Sequence, residues 1–394
     1  MVHGGTGFLR NADSRICTAN AAGLPELLDC LNAGATIVAR QSATAPIAKS
    51  AALPPRLICE TSGTSGAPKA ICRKPDTWIR SFEISKRQFK ISRNDTYATF
   101  GSLGHSLCLY AILEGLWIGA DICNFDGVGP RRQAAALVAF DVTVIYATPT
   151  QLQVLLRGAQ ASQITNFATI TQVFCGGGTL TPALRSALST YFPNAEVREF
   201  FGASETSFMT MSDAATPAGS VGRAYPDVDI RIGTPQAPVT DQSGEIWVKS
   251  PYLFDSYATG HSDSTIWHDG FLSIGEMGYV DDDGFLFIQG RKDRMITVAD
   301  HNVYPEAIEK VVSALDGVET CAVIAMADPI RGHVPVCVVQ ARASGPDAQA
   351  LAQQCRDALG GHAVPKAFHF VTDLPVLASG KPDLEALRKT YGAC

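Results

Sequence analysis

Short apolar runs alternate with longer segments of helical periodicity between residue 56 and about residue 200. Apolar runs of four to six residues bounded by Gly, Pro or polar residues predict buried strands, and the longer periodic segments predict helices. The predicted strands are 56–60, 142–147, 170–174 and 196–201. The predicted helices are 133–139, 149–157 and 182–191. This alternation favours an α/β fold in which crossover helices cover layered sheets.

Past residue 215 the pattern changes to short alternating segments separated by Pro and Gly. Residues 229–233 and 244–249, and a hairpin at 278–288 with a turn at 281–284, predict antiparallel strands. The last stretch of about 100 residues carries helix, strand and helix patterns and is long enough to fold by itself. We therefore predict a large N-terminal domain, residues 1–289, of layered α/β sheets with a small β subdomain. A small, mobile α+β domain, residues 290–394, is predicted to follow it.

The composition narrows the possible partners. Hydrophobic residues make up 46% of the 394 residues and charged residues 18%, the balance of a globular protein with a large core. The net charge is −6, and no basic patch stands out beyond Arg131 and Arg132. Because nucleic-acid binding requires a positive surface, we expect no nucleic-acid partner.

The cysteines and the apolar stretches bear on the cellular compartment. Eleven cysteines are scattered without a CxxC pair, and most lie in apolar runs, where a reduced thiol behaves as a small hydrophobe. The N-terminus lacks the apolar core of a signal peptide. Glu114 and Asp141 interrupt the longest apolar stretches, so neither reaches the ~20 uncharged residues of a membrane span. We expect a cytoplasmic protein with no membrane partner.

The strongest chemical signal is a loop rich in glycine and hydroxyl groups directly after the first predicted strand. Its residues are Thr61, Ser62, Gly63, Thr64, Ser65, Gly66, Ala67, Pro68 and Lys69. Glycines let a backbone approach a phosphate, hydroxyls add hydrogen-bond donors, and a lysine adds a mobile positive charge. No Gly-Lys-Ser/Thr closes the loop, so it is not a Walker loop. A flexible linker is the alternative, but a linker does not explain the strand before the loop or the Pro-Lys at its end.

This loop resembles the phosphate-binding signature of the adenylate-forming superfamily, which comprises acyl-CoA synthetases, adenylation domains of peptide synthetases, and luciferases. Four further segments resemble motifs of that superfamily in the expected order: 176–178, 200–205, 273–276 and 375–381. The resemblance implies ATP-dependent activation of a carboxylic acid as an acyl-adenylate, followed by transfer to a thiol. It implies ATP, Mg²⁺ and coenzyme A as cofactors and co-substrates.

The resemblance also assigns roles in the N-terminal domain. Residues implied to contact the nucleotide, besides the loop, are Gly176, Gly177, Gly178, Phe201, Gly202 and Ser204. Glu205 is the implied Mg²⁺ ligand and, with Lys69, a catalytic residue. Phe201 stands where the superfamily commonly has Tyr. An ordinary glycine turn and an ordinary surface glutamate are the alternatives at these two motifs.

In the C-terminal part, Lys381 corresponds to the superfamily's catalytic lysine, and its Gly-Lys context argues against a plain surface lysine. Glu276 stands where an Asp usually binds the ribose hydroxyls, so the carboxylate is kept but lies one methylene farther out. Arg291 corresponds to an arginine that meets the ribose or the α-phosphate, and Asp293 to the hinge between the domains. A glycine pair of the superfamily is replaced by Ala299 and Asp300.

The identity of the acid is inferred from the expected pocket. His105 corresponds to the position that closes the acyl pocket, with a buried core histidine as the alternative. No Asp stands near His105 to pair with an α-amino group, which favours a simple carboxylic acid. Phe200 and Phe201 suit a flat aryl acid. The phosphate loop begins as early as Thr61, so we expect a short form resembling bacterial 4-coumarate-CoA ligases and, as substrate, a hydroxycinnamic acid.

Two alternatives stay open at this point. The acceptor of the acyl group is either coenzyme A or the thiol of a separate carrier protein; no carrier domain follows within the 394 residues, which favours coenzyme A. The second alternative is a degenerate nucleotide-binding module without catalysis, motivated by the early loop, Glu276 and Ala299-Asp300. The presence of Lys69, Glu205, Arg291 and Lys381 argues against that module.

Overall fold

The structure, a computed structural model, describes residues 7–18, 21–51, 54–61, 69–240, 242–376 and 382–391. The chain divides into two compact units. The first unit comprises residues 1–231, 247–272 and 281–286, and the second comprises 232–246, 273–280 and 287–394.

The strands within the described residues are, in chain order, β1 (Thr36–Ala39), β2 (Ile47–Ser50), β3 (Leu57–Thr61), β4 (Lys69–Arg73), β5 (Thr96–Thr99), β6 (Asp121–Asn124), β7 (Val144–Ala147), β8 (Gln172–Cys175), β9 (Glu196–Ala203), β10 (Ser207–Met211), β11 (Arg223–Ala224), β12 (Asp229–Ile232), β13 (Gly244–Lys249), β14 (Ser256–Thr259), β15 (Ile266–His268), β16 (Phe271–Ser273), β17 (Glu276–Val280), β18 (Leu286–Arg291), β19 (Ile296–Val298), β20 (His301–Val303), β21 (Val318–Asp328), β22 (Gly332–Ala341) and β23 (Ala367–Val371). The helices are α1 (Leu24–Asn32), α2 (Asp76–Gln88), α3 (Ser106–Ile118), α4 (Pro130–Ala139), α5 (Pro149–Ala161), α6 (Pro182–Tyr191), α7 (Pro305–Ser313), α8 (Ala348–Leu359) and α9 (Leu384–Tyr391), with a short 3₁₀ helix at Gly361–Ala363.

The first unit contains a five-stranded sheet in the order β14-β4-β3-β1-β2. Strands β3 and β4 form an antiparallel pair, and Thr61 at the end of β3 is the register partner of Lys69 at the start of β4. Strand β14 pairs antiparallel with β4 on its other side. The glycine- and hydroxyl-rich loop therefore connects two paired strands of this sheet.

A second sheet of the first unit has the order β11-β10-β9-β8-β7-β5-β6. Its strands from β9 to β6 are parallel, and β10 pairs antiparallel with β9. All residues of β5, β6 and β7 are buried, as expected for parallel strands covered on both faces. Apolar side chains of α4, α5 and α6 form a core with these strands. The carboxyl ends of parallel strands meet at one edge, the usual position of a ligand site in such sheets.

The second unit has short antiparallel strands followed by an α+β segment. Strand β13 pairs with β17 through Gly244 and Gly278, and β17 is next to β18, as the sequence predicts for this hairpin. Further along, β20-β19-β22-β21 form a sheet to which β23 adds in parallel with β22. Helices α7 and α8 pack on one core of this sheet, and α9 packs with Leu387 on another. The predicted α/β fold, with a large sheet-and-helix part and a smaller α+β part, is confirmed. The boundary at residues 289 and 290 and the hinge near Asp293 stay predictions.

The described residues bear on two expectations from the sequence, one about the cysteines and one about membrane-spanning helices. Ten cysteines are unpaired, and eight of them are buried. Burial of this kind agrees with their placement in apolar runs. No helix in the described ranges combines the length and the apolar character needed to cross a membrane.

Candidate active site

The ends of the glycine- and hydroxyl-rich loop are fixed by the β3–β4 pair. Ser62, Gly63, Thr64, Ser65 and Gly66, all predicted to contact the nucleotide, lie outside the described residues. At the two ends, Thr61 Oγ1 donates a hydrogen bond to the carbonyl oxygen of Lys69 over 3.3 Å. Gly260, just after β14, lies against the side chain of Lys69. The β3–β4 pairing thus places the lysine beside strand β14.

Ser204 and Glu205 occupy the turn between β9 and β10, and both are half-buried. The hydroxyl oxygen of Ser204 lies 3.0 Å from that of Ser106, the first residue of α3. The carboxylate oxygen Oε1 of Glu205 accepts a hydrogen bond from the hydroxyl of Tyr257 over 2.8 Å. The turn therefore joins the end of the parallel sheet to strand β14, which is paired with β4.

A buried arginine donates hydrogen bonds to this turn. Arg73, in β4, has no exposure to solvent and donates from Nη2 to the carbonyl oxygen of Ser204. Its Nη1 donates to the carbonyl oxygen of Tyr252 over 3.0 Å and to Ser207 Oγ over 2.7 Å. The guanidinium also lies over the ring of Trp78, 5.1 Å from its centroid. Burial lowers the pKa of Arg73 to about 10, so the group stays charged at neutral pH.

The glycines of the second and third motifs allow close packing. A side chain at Gly176 would overlap the ring of Phe200, so only glycine lets this ring pack against the end of β8. At Gly202 a side chain would overlap the carbonyl of Ser207 across the β9–β10 turn. Gly177 and Gly178 are exposed beyond the strand, and Phe201 is half-buried. These contacts place Phe200 beside Gly176 at the carboxyl edge of the parallel sheet.

His105 lies at the N-terminal end of α3, close to the same edge. It is exposed, so the alternative of a buried core histidine is not what the structure shows. Gln41 Nε2 lies 3.4 Å from His105 Nδ1 and donates to the carbonyl oxygens of Gly104 (3.0 Å) and Glu60 (3.3 Å). Through Gln41, the start of α3 is connected to the end of strand β3, which leads into the glycine- and hydroxyl-rich loop.

In the second unit, three residues predicted from the sequence form one ionic cluster. Arg291 donates from Nε and Nη2 to the two carboxylate oxygens of Asp293 over 3.0 and 3.2 Å. Its Nη1 lies 3.4 Å from Glu276 Oε1. The pKa of Glu276 is raised to about 7, mainly by burial; Arg291 lowers it, and the carboxylates of Glu306 and Asp293 contribute to the rise. Lys381 lies outside the described residues.

The replacement of a glycine pair by Ala299 and Asp300 leaves the backbone in a conformation suited to glycine. Both residues have positive φ, 46° and 67°, and connect the antiparallel strands β19 and β20. Two central residues with φ > 0 are what type I′ hairpin turns require. The turn is thus a left-handed one even though neither residue is glycine.

Several supporting residues were missed by the sequence reasoning, namely Gln41, Arg73, Ser106, Tyr257 and Thr265, whose hydroxyl lies 2.9 Å from that of Tyr257. Only Arg73 carries a signal, because a charged residue directly follows the apolar pair Ile71-Cys72. Tyr257 meets Glu205 only because β14 pairs with β4, a contact between segments distant in sequence. No local pattern reveals such a contact.

Comparison with known proteins bears on the identity of the chain. A family model described as AMP-binding enzyme matches residues 18–258, more than half of the chain. A model described as AMP-binding enzyme C-terminal domain matches residues 307–381. The chain belongs to the AMP-binding enzyme family. The resemblance to the adenylate-forming superfamily is thereby confirmed.

Relatives of this AMP-binding enzyme agree with that assignment. It is 31% identical over 328 residues to the uncharacterized acyl–CoA ligase YhfT of Bacillus subtilis (strain 168), covering 82% of this chain and 65% of YhfT. It is 28% identical over 331 residues to 2-succinylbenzoate–CoA ligase of Enterococcus faecalis (strain ATCC 700802 / V583). This match covers 82% of this chain and 67% of that ligase. The chain thus spans about two thirds of the length of these curated relatives.

A solved structure shows the same fold. The o-succinylbenzoate CoA synthetase MenE of Bacillus subtilis, in complex with the acyl-adenylate intermediate OSB-AMP, superimposes with a TM-score of 0.76 at 24% identity. The match covers 88% of this chain and 72% of MenE. At this identity the likeness establishes the fold of the AMP-binding enzyme.

Proposed function

We propose that this AMP-binding enzyme is an AMP-forming acid–thiol ligase. In the first half-reaction, a carboxylate oxygen attacks the α-phosphorus of ATP, which gives an acyl-adenylate and releases pyrophosphate. In the second, the thiol of coenzyme A attacks the acyl carbon, AMP leaves, and a thioester forms. The observation that carries the proposal is the connection, within the first unit, of Lys69 to Glu205 through the pairing of β4 with β14 and the hydrogen bond from Tyr257.

The residues of the first unit suit a triphosphate. Lys69 and the hydroxyl-rich loop would hold phosphate oxygens, and Ser204 would donate its hydroxyl to the α-phosphate. No cluster of three His, Cys, Asp or Glu side chains able to hold a metal occurs in the described part of the chain. The single carboxylate of Glu205, next to the hydroxyl of Ser204, fits Mg²⁺, which proteins often bind through one or two carboxylates together with substrate phosphates. Glu205 would be the carboxylate, and bound Mg²⁺ would neutralise phosphate charge.

We assign the second unit the roles that the superfamily implies. Glu276 would accept hydrogen bonds from the ribose hydroxyls, and its neighbour Arg291 would meet the ribose or the α-phosphate. Lys381 would stabilise negative charge on the carboxylate, the α-phosphate and the leaving pyrophosphate, a contribution of a few kcal/mol for a donor aimed at a developing anion. Rotation of residues 290–394 about Asp293 would let Lys381 and the thiol act at different times.

For the acid, we propose an aryl carboxylate, with a hydroxycinnamic acid as the first to test. The ring of Phe200 packs against Gly176 at the carboxyl edge of the parallel sheet, and an aromatic side chain at this edge supports an aryl substrate. We assign to His105, which is exposed at the start of α3, the role of closing the acyl pocket that the superfamily implies. The names of two similar proteins, which act on 2-succinylbenzoate and o-succinylbenzoate, also point to aryl acids. Coenzyme A is the proposed acceptor.

The test is ATP–pyrophosphate exchange with a panel of aryl, hydroxycinnamic and aliphatic acids. We expect exchange to depend on the acid and to be fastest with an aryl member. Exchange only with aliphatic acids would overturn the substrate class but leave the reaction in place. No exchange with any acid, in folded protein that binds ATP, would support a degenerate nucleotide-binding module.

A second assay decides the acceptor. The enzyme, ATP and the best acid are incubated either with free coenzyme A or with a phosphopantetheinylated carrier protein, and thioester is measured by mass spectrometry. We expect acyl-CoA. Thioester on the carrier alone would replace coenzyme A by a carrier protein as the partner.

A further inference from the structure

We propose that Tyr257, held by Thr265, is a positioning residue that orients the carboxylate of Glu205 and thereby sets the affinity of the site for the divalent cation that accompanies ATP. The inference rests on the proposed function, since it assumes that Glu205 faces the metal–nucleotide. It adds to that function a tyrosine and a threonine that no sequence motif reveals.

The hydroxyl of Tyr257 lies between a carboxylate and a second hydroxyl. The Tyr257 hydroxyl lies 2.8 Å from Glu205 Oε1 and 2.9 Å from Thr265 Oγ1. Because an ionised carboxylate only accepts hydrogen bonds, the phenol O–H is the donor of the bond to Glu205. The threonine hydroxyl fills the second hydrogen-bond position of the phenol and restricts its rotation.

One short segment, residues 254–257, fixes Glu205 at two points. The backbone N–H of Phe254 donates to the carbonyl oxygen of Glu205 over 2.8 Å, while Tyr257, three residues later, bonds the carboxylate. The ring of Phe254 packs edge-on against Tyr257 with centroids 5.1 Å apart and stacks on Trp267 at 6.0 Å. Main chain and side chain of Glu205 are therefore held by the same packed aromatic group.

Strand β14 also connects Glu205 to the strand that follows the glycine- and hydroxyl-rich loop. Tyr257 is the register partner of Ile71 in β4, the strand that begins with Lys69. The same strand β14 therefore holds Glu205 and pairs with the strand that carries the lysine. A change at Tyr257 should act on the relative placement of the metal-binding acid and the loop.

The chemical consequence follows from how carboxylates bind metals. Oε1 of Glu205 accepts the phenol, and in the described residues Oε2 accepts no hydrogen bond. A donor on one oxygen favours metal binding through the other and prevents the carboxylate from rotating. Outer partners of this kind typically contribute a factor of about 10 to 100 in metal affinity.

The test compares Tyr257→Phe and Thr265→Val with the wild type. Mn²⁺ binding, with a non-hydrolysable ATP analogue present, is measured by electron paramagnetic resonance, and the Mg²⁺ concentration for half-maximal pyrophosphate exchange is measured separately. Tyr257→Phe should weaken Mn²⁺ binding and raise the Mg²⁺ requirement by about 10- to 100-fold. Thr265→Val should have a smaller effect of the same sign. At saturating Mg²⁺ the exchange rate should return close to that of the wild type.

The matched control is Tyr252→Phe, which removes the hydroxyl of a buried tyrosine that donates to the carbonyl oxygen of Pro226 over 2.9 Å. It should leave the Mn²⁺ affinity unchanged. If Tyr257→Phe binds Mn²⁺ as tightly as the wild type, or if Tyr252→Phe weakens Mn²⁺ binding equally, the inference is wrong. If Tyr257→Phe does not fold, the Mn²⁺ affinity of Thr265→Val decides: weaker binding than in the wild type supports the inference, and unchanged binding contradicts it. Wild-type protein that binds Mn²⁺ with the analogue but exchanges no pyrophosphate would contradict the proposed function, while the comparison of Mn²⁺ affinities would still decide the role of Tyr257.

Discussion

Glu114 is a carboxylic acid with no exposure to solvent, on helix α3 of the first unit. Its Oε2 accepts hydrogen bonds from the hydroxyls of Tyr97 and Tyr146 over 3.0 and 2.8 Å, and its Oε1 accepts one from Tyr110 over 3.1 Å. Burial raises the pKa of Glu114 to about 7, although these hydrogen bonds lower it. The group is thus neutral in the folded protein at pH values where it is ionised in the unfolded chain.

This raised pKa gives a prediction for stability against pH. Between pH 4.5 and about 7 the folded state binds a proton that the unfolded state has lost, so the free energy of unfolding should fall as pH rises through this window. A shift of this size corresponds to at most about 3 kcal/mol. Glu114→Gln should remove this pH-dependent part of the free energy of unfolding, which urea unfolding at pH 5, 6, 7 and 8 would measure. Glu83→Gln, at a partly exposed position of α2, is the control and should keep the slope. An unchanged slope in Glu114→Gln would contradict the assignment.

The left-handed turn at Ala299 and Asp300 gives a second prediction at this scale. A non-glycine residue at positive φ is strained by roughly 1–2 kcal/mol, less for Asp than for Ala. Ala299→Gly should therefore raise the free energy of unfolding of the second unit by about 1 kcal/mol despite the greater freedom of glycine in the unfolded chain. The matched control, Ala350→Gly in helix α8, should lower it by a similar amount. The two changes share the same chemistry, so equal signs in chemical denaturation would refute the strain argument.

At the scale of elements, Arg73 connects strand β4, helix α2 and the β9–β10 turn. Besides its bonds to Ser204, Ser207 and Tyr252, its Nη1 donates to Thr77 Oγ1 on α2 over 3.2 Å. Its charge forms no ion pair within 4.0 Å in the described part of the chain. Hydrogen bonds to backbone carbonyls and hydroxyls stabilise the guanidinium charge instead. These bonds orient the turn that contains Glu205.

Replacing this arginine tests the connection. Arg73→Met keeps the apolar stem but leaves the carbonyl of Ser204 without this donor, at roughly 1–3 kcal/mol, while the carbonyl of Tyr252 keeps its bond from Ser207 Oγ over 3.1 Å. The free energy of unfolding should drop by about 1–3 kcal/mol, and pyrophosphate exchange should fall because the Ser204–Glu205 turn loses an anchor. Arg80→Met, at an exposed position of α2, serves as the control for loss of a positive charge. Loss of exchange without loss of stability would mean that Arg73 acts on the nucleotide directly.

The helices and strands themselves could largely be predicted from the sequence, whereas the side-chain hydrogen bonds that connect them could not. The apolar runs at β7 and β8 and the helix at α6 carry local patterns; the structure confirms α6 with the predicted bounds and the two strands with ends moved by one or two residues. Glu114 interrupts an apolar stretch, which excluded a membrane span but revealed nothing of its three tyrosine partners. Those partners lie up to 32 positions away in sequence, and Tyr257 is 52 positions from Glu205. Periodicity reports which face a residue occupies, and pairing across the sheet decides which residue it meets.

At the scale of the whole molecule, each of the two units has its own apolar core. In the first unit the core lies between the parallel strands and α4 to α6, and includes Val173 with no exposure. In the second unit it lies between the sheet of β19 to β22 and helices α7 and α8, and includes Val323 at 1% exposure. Burial of this kind is the main source of folding free energy, so each unit has a stability of its own.

Separate cores predict separate unfolding. Differential scanning calorimetry should resolve two transitions, since two-state behaviour holds for single domains and fails for chains with several. Val323→Ala should lower only one transition and Val173→Ala only the other, because each removes buried methyl groups from one core at about 2 kcal/mol. The pair is matched: both are fully buried valines in strands of a sheet covered by helices, and both changes delete the same atoms. If each variant lowers both transitions by the same amount, the units unfold together and their cores act as one. If a non-hydrolysable ATP analogue raises mainly the transition that Val173→Ala lowers, the phosphate-binding part belongs to the first unit, as the positions of Lys69 and Glu205 require.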